Sequence, residues 1–197
     1  MLDDASLVLW LSTGILLSLL AAATLADFAH RRIPNLIVLA GLVLGVGLNA
    51  LLPEGFGLFN PYAPGGLGLA AALGGALVGG GLLLPLYALR AMGAGDVKLM
   101  AMVGAFLSPG QALWAGLIVL FVGGFISLAW ALKRRALQRT FANLRGIFVG
   151  AFSSLLLRES PDLSIAGASA ARVPYGLAIA LGTGVFLLLE YQGWLKA

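Results

Sequence analysis

Gly93-Ala94-Gly95-Asp96-Val97-Lys98-Leu99-Met100, residues 93–100, opens an apolar run that continues only to Leu107. The purely apolar part, residues 99–107, is far short of the roughly 20 residues a helix needs to cross a bilayer. To span, this segment must take in Val97, Lys98 and Asp96, which draws a carboxylate to membrane depth just behind a glycine-rich break. Short, Gly-interrupted apolar segments point to binding sites in membrane proteins. An ionisable group inside a span is costly to keep and is therefore a functional-site candidate. Only Asp27, near the end of the first apolar run, is placed comparably.

The composition makes lipid the solvent. Of the 197 residues, 60% are hydrophobic and 10% charged, with a mean hydropathy of +1.01. Soluble domains carry about 25% charged residues, and so few charges cannot cover a globular core of this apolarity. The expected fold is all-α: a polytopic membrane bundle of about six transmembrane helices. The predicted spans are residues 6–26, 35–52, 67–89, a fourth from about Asp96 to 107, 112–132 and 174–189. The first has the wrong flanks for a signal peptide, because Asp3 and Asp4 precede it and the positive charges follow it. Pro34 disfavours helix at Ile33 and suits the opening turn of the next helix. Pro53 to Gly66 reads as a loop and Ser108-Pro109-Gly110 as a turn. Phe141, Leu144, Phe148, Phe152 and Leu155 recur at helical spacing and predict a cytoplasmic helix lying in the interface. The whole chain, 1–197, is expected to be one membrane domain, with about 133–172 as its cytoplasmic or interfacial segment.

Charge orients this topology. With the N-terminus outside and six spans, eleven of the 12 Lys and Arg residues fall inside and only Lys196 falls outside, as the positive-inside rule asks. A seventh span would move Arg158 and Arg172 outside. The net charge of +4 is accounted for in this way, and no aromatic-plus-basic module for nucleic acid accompanies it. The absence of cysteine removes disulfides, thiol nucleophiles and cysteine-ligated zinc. His30, the single histidine, stands beside Arg31-Arg32 as a polar flank, so neither metal nor cofactor is expected. Gly41 with Gly45, and Gly75 with Gly79, stand at the small-xxx-small spacing of packed membrane helices.

Asp27 precedes Arg31 by four residues, about 6 Å of helix rise, so it lies about one turn inside the cytoplasmic surface. Asp96 enters its helix from the same side, bracketed by Arg90 and Lys98. Two carboxylates that meet cannot both ionise cheaply and titrate as a coupled pair. One then takes a proton from a water held between them, while the other protonates the scissile amide, the logic of aspartic proteases. Gly93 and Gly95, without side chains, would let an extended substrate backbone approach. Other roles are open at each position. Asp27 has Arg31 at i+4 for an ion pair, Asp96 suits a helix N-cap after a Gly turn, and Lys98 suits a snorkelling anchor.

Three blocks in order resemble the prepilin peptidase family, the type IV leader peptidases, within the GxGD class of intramembrane aspartyl proteases that includes presenilin and signal peptide peptidase. They are Asp27 with Arg31-Arg32-Ile33-Pro34-Asn35, then Gly93-Ala94-Gly95-Asp96-Val97-Lys98-Leu99-Met100, then Arg172-Val173-Pro174-Tyr175-Gly176 with Ala178-Ile179-Ala180. The resemblance implies that Asp27 and Asp96 are the catalytic pair. It also implies that Gly93, Gly95, Lys98, Pro34, Asn35, Arg172, Pro174 and Tyr175 shape the site or bind substrate. For Pro34-Asn35 a tight interhelical turn, and for Pro174 a helix start, are the structural alternatives. The implied reaction removes a short basic leader from a prepilin or pseudopilin at the cytoplasmic face of the bacterial inner membrane. Cleavage falls at a glycine just before the pilin's hydrophobic helix, and the product is passed on to pilus assembly machinery. Longer members carry an N-terminal region with paired cysteines and also methylate the new N-terminus. This chain starts directly with its first segment and lacks cysteine, so it is similar to the short form serving tight-adherence (Flp) pili, and methyltransferase activity is expected to be absent.

Two other functions use the same residues differently. A transporter or proton relay would employ Asp27 and Asp96 as carriers, although there is no clear internal repeat and the acids lie near one face rather than the midplane. A non-enzymatic assembly subunit would need only the glycine packing.

Overall fold

The computed structural model describes residues 4–89, 91–133 and 175–194. Arg172, Pro174 and the expected interfacial helix around 141–157 lie outside these described residues. Among them the secondary structure is helical: α1 Asp4–His30, α2 Asn35–Leu51, α3 Leu69–Ala88, α4 Ala94–Ala105, α5 Pro109–Lys133 and α6 Tyr175–Tyr191. The all-α membrane bundle expected from composition is the observed class. Three stretches, Ser6–His30, Leu69–Ala88 and Pro109–Ala129, are long and apolar enough to cross a membrane, and α2 and α6 are shorter apolar helices. Large apolar side chains stand exposed on their outer faces, among them Leu36, Leu77, Phe121 and Phe125, each more than two-thirds exposed. In lipid these positions cost nothing, whereas water would penalise so continuous an apolar surface.

The chain divides into two compact units, residues 1–123 with 174–197, and residues 124–173. Of the second, only the end of α5, to Lys133, belongs to the described residues. The helices that matter for function are in the first unit.

There α4 is the central element. At 12 residues it rises only about 18 Å, well short of the hydrocarbon thickness even with Asp96 included. It can be this short because protein, not lipid, surrounds it: Leu99, Met100, Met102, Val103 and Ala105 are all fully buried. The glycines that the sequence places at helix-packing spacing are what bring the neighbours close. A Cβ on Gly45 of α2 would lie 2.8 Å from the Phe106 ring, and one on Gly41 would collide with Met102. On α3, a Cβ at Gly79 would lie 2.6 Å from Met100 O, and one at Gly75 would overlap the carbonyl oxygens of Gly104 and Leu107. One glycine per turn of α3 thus faces one turn of α4, backbone against backbone.

Beyond α4 the 53–66 loop fills the remaining depth. It is more than a connector, since Leu58 and Phe59 are buried in the same core as Phe106 and Leu107. Buried Asn49 joins the layers, donating to Ala105 O at 3.0 Å and accepting from the Leu67 N–H at 3.1 Å. It thereby pairs one of the orphan carbonyls at the end of α4.

Two expectations change. Ser108-Pro109-Gly110 is not a free turn, because α5 begins at Pro109. Ser108 Oγ accepts from the Gln111 N–H at 3.1 Å and Gln111 Oε1 accepts from the Ser108 N–H at 3.0 Å, a reciprocal capping box with proline at the tolerant first helical position. The count of deeply placed carboxylates also rises from two to three. Glu190, one residue beyond the predicted last span, is only 5% exposed and accepts from Gln111 Nε2 at 3.0 Å. The helix runs two residues further than hydropathy suggests, to Tyr191, because this carboxyl finds an amide partner inside the bundle.

Candidate active site

Asp27 and Asp96 reach the site from opposite ends of their helices. Asp27 lies in the last turn of α1, which closes when Arg31, at φ 52°, donates its N–H to Asp27 O at 2.8 Å. This left-handed closing residue is usually glycine; here it is the first of the two arginines. Asp96 is at the third position of α4. The N-cap is Gly93, not Asp96, and the Asp96 carboxylate reaches back to accept the Gly93 N–H at 3.0 Å. Only half of a capping box exists here, since glycine has no side chain to return the bond.

The α6 helix runs antiparallel to α1 and brings a third element to the same end. Trp10 and Tyr191 meet at a ring separation of 6.2 Å at one end of the pair. At the other end the Gly176 N–H donates to Asp27 Oδ2 at 3.3 Å. The Asp27 carboxylate therefore turns inward to α6, while Arg31 serves it through the backbone. Thr24, one turn earlier on the same face of α1, places its hydroxyl 2.7 Å from Leu20 O and 3.3 Å from Gly176 O.

The two aspartates are each 9% exposed, and they lie within electrostatic range of one another. The Tyr175 phenol is within the same range of Asp96, and its ring is seated where Gly123 of α5 has no side chain, since a Cβ there would strike the hydroxyl. Asp27, Asp96, Gly93 and Tyr175 are thus gathered at one end of the bundle.

The other candidates hold the frame. Pro34 is the N-cap of α2, in extended conformation with φ −63° and ψ 130°. Asn35 Oδ1 accepts from Lys98 Nζ at 3.2 Å on the exposed rim. A Cβ on Gly95 would sit 3.4 Å from Ile33 Cβ. Through these contacts the α1–α2 turn is docked on the first turn of α4, which sets the height of Asp27's helix end against Asp96's helix start. Gly93 itself is exposed, with nothing but the Asp96 carboxylate and its own turn near a would-be Cβ. Among the described residues no three His, Asp or Glu side chains gather as a metal site would require.

Thr24 and Gly176 are the site neighbours that sequence reasoning did not single out. Thr24 had a legible signal, a polar side chain three residues before a deep carboxylate and hence on its face of the helix. Gly176 stood in the third of the family-like blocks without a role of its own, because its partner is 149 positions away.

A family model, that of the Type IV leader peptidase family, matches residues 14–132. No curated protein and no solved structure shows significant similarity to the chain. The matched region covers more than half of the sequence and runs through α1 and α4, taking in both Asp27 and Asp96. On that match, and with a helical bundle built for lipid, the chain belongs to the type IV leader peptidase family, membrane peptidases whose substrates are prepilins.

Proposed function

We propose that the peptidase is of the aspartic type, with Asp27 and Asp96 as its catalytic pair, and that it removes the short basic leader of a prepilin or pseudopilin at the cytoplasmic face of the bacterial inner membrane. The observation that carries this reading is the pairing itself. Two buried carboxylates from different helices lie within range of each other, each with one oxygen held by a glycine amide. Among the described residues no hydrogen bond engages the second oxygen of either, which leaves it to address one water.

In the proposed reaction one carboxylate takes a proton from the water as its oxygen bonds to the scissile carbonyl carbon. The other, protonated, gives its proton to the carbonyl oxygen. Collapse of the resulting diol breaks the C–N bond: the proton gained by the first carboxyl passes to the leaving amine, and one diol hydroxyl returns its proton to the second carboxylate as the new carboxyl group forms. No redox partner or cofactor enters this balance. Gly93 supplies backbone clearance, and Tyr175 walls the site beside Asp96. Arg31, Arg32 and Lys98 flank the site, and the positive-inside rule then puts it toward the cytoplasm, where the leader remains before pilin export. Arg172 and Pro174 are assigned to the same site as shaping residues, and the mature pilin would leave it for the pilus assembly machinery.

The chain has no cysteine, unlike the members that also methylate their product. We assign it to the short tight-adherence type and expect it to leave the new pilin N-terminus unmethylated. Co-expression with a candidate tight-adherence prepilin, read by gel shift and by the mass of the mature N-terminus, tests both points. The expected product lacks the leader and carries a free, unmodified amine. Unprocessed prepilin would sink the peptidase assignment, and an added methyl group would sink the short-form assignment alone.

A further inference from the structure

We propose that Thr24 and the Gly176 backbone act together as the positioning clamp of Asp27, setting which of its carboxylate oxygens faces the water. This inference rests on the aspartic reading above. The backbone of Gly176 is engaged on both sides by one turn of α1. Its N–H donates to Asp27 Oδ2 at 3.3 Å, and its carbonyl lies 3.3 Å from Thr24 Oγ1. Residues 24 and 27 are three apart on a helix and share a face, so a single residue can bridge them only when α6 starts at this height.

Gly176 belongs to the first turn of α6, whose N–H groups have no partner within their own helix. A buried N–H of that kind must be paired elsewhere, and the Asp27 carboxylate pairs it. The position is also tight. A Cβ on Gly176 would stand 3.1 Å from Asp27 Oδ2 and 3.5 Å from Asp27 Cβ, so the carboxylate would have to give by a few tenths of an ångström.

Thr24 adjusts this contact. Its one hydroxyl proton is divided between Leu20 O at 2.7 Å and Gly176 O at 3.3 Å. The shorter bond ties the hydroxyl to its own helix and aims it, and the longer one draws in the Gly176 carbonyl. Asp27 is at the last turn of α1, where a side chain without such a hold is free to change rotamer. Asp96 has the corresponding hold from Gly93 on its own helix, so only Asp27 depends on a partner from across the bundle.

Thr24→Val removes the hydroxyl and keeps the branched shape, whereas Thr24→Ser keeps the hydroxyl. Because misplacing a catalytic group by a fraction of an ångström to an ångström costs roughly ten- to a hundredfold in rate, Thr24→Val is expected to lower kcat for prepilin cleavage about tenfold with KM unchanged, and Thr24→Ser to restore most of it. Gly176→Ala should lower kcat further, toward a hundredfold, although alanine is the better helix former. Thermal unfolding of each variant in detergent is measured alongside and is expected to stay near wild type for both Thr24 variants. Wild-type kcat in Thr24→Val overturns the clamp, as does a Thr24→Ser variant as slow as the valine or a loss that follows the melting temperature. If the wild type cleaves and Asp27→Asn does not, such a result removes the clamp alone. A wild type that fails to cleave, or an Asp27→Asn variant that still does, removes the aspartic reading and the clamp with it.

Discussion

Asp27→Asn and Asp96→Asn are each expected to cut prepilin cleavage by about 10²–10⁴-fold, the range supplied by a positioned acid or base, while leaving a folded protein. The amide is isosteric with the carboxylate, and its Oδ1 can still accept the glycine N–H, from Gly176 in one case and Gly93 in the other. What changes is the strength of one hydrogen bond, about 1 kcal/mol when a charged acceptor becomes neutral, which a bundle of this size should absorb. What is lost outright is the ability to carry a proton. With both groups acting on one water as proposed, the double variant should be little worse than either single one; groups that work as a unit are strongly non-additive. The measurement is leader removal by gel shift, with size-exclusion chromatography in detergent as the folding control. Cleavage near the wild-type level in either single variant would end the aspartic assignment. A carrier reading of the same two acids would instead predict lost ion flux with processing intact.

Gly75→Ala is expected to be the most damaging conservative change in the frame, and Gly47→Ala one of the most harmless. Both glycines are helical, on α3 and α2. A Cβ at position 75 would overlap the carbonyl oxygens of Gly104 and Leu107, which are backbone atoms and cannot swing aside. One at position 47 meets nothing within 4 Å. Overpacking of this kind costs typically about 1–3 kcal/mol and more where backbone must move, whereas an unobstructed glycine-to-alanine change in a helix is neutral or favourable by up to about 1 kcal/mol. Thermal unfolding in detergent should show Gly75→Ala falling well below wild type and Gly47→Ala matching or exceeding it. Activity should fall with stability for Gly75→Ala, since α4 carries Asp96 at its first turn and any parting of α3 from α4 moves it. Equal melting temperatures for the two variants would refute the close-packing account of α4.

How far the site could be read in advance depended on whether its residues signal locally. Asp96 behind a glycine break and Asp27 one turn before two arginines announce themselves, because charge is rare in this chain and every acid in an apolar run is conspicuous. Pro34 and Gly93 announce helix boundaries by their backbone preferences. The alternative roles at each aspartate could not be separated in this way. An i, i+4 arginine is present whether or not the carboxylate turns toward it, and only the position of α6 shows that Asp27 turns inward to Gly176. Likewise a Gly-x-Gly-Asp stretch permits Asp96 as N-cap, and the backbone path puts it two positions beyond the first helical residue instead.

By itself the amino-acid sequence determined the solvent, the helical class and the approximate helix boundaries, and it singled out the two acids proposed as the catalytic pair, because each follows from composition or from preferences within a few residues. Tertiary structure alone decided that an α4 of only 12 residues can sit at the centre of the bundle, since that depends on neighbours excluding lipid from it. It alone buried Glu190 against Gln111, and Leu58 and Phe59 of the loop in the core, and it alone brought Gly176 to Asp27 across 149 positions. Contacts of that range are set by how whole helices pack, and helix packing is a property of the assembled bundle that no local window of residues contains.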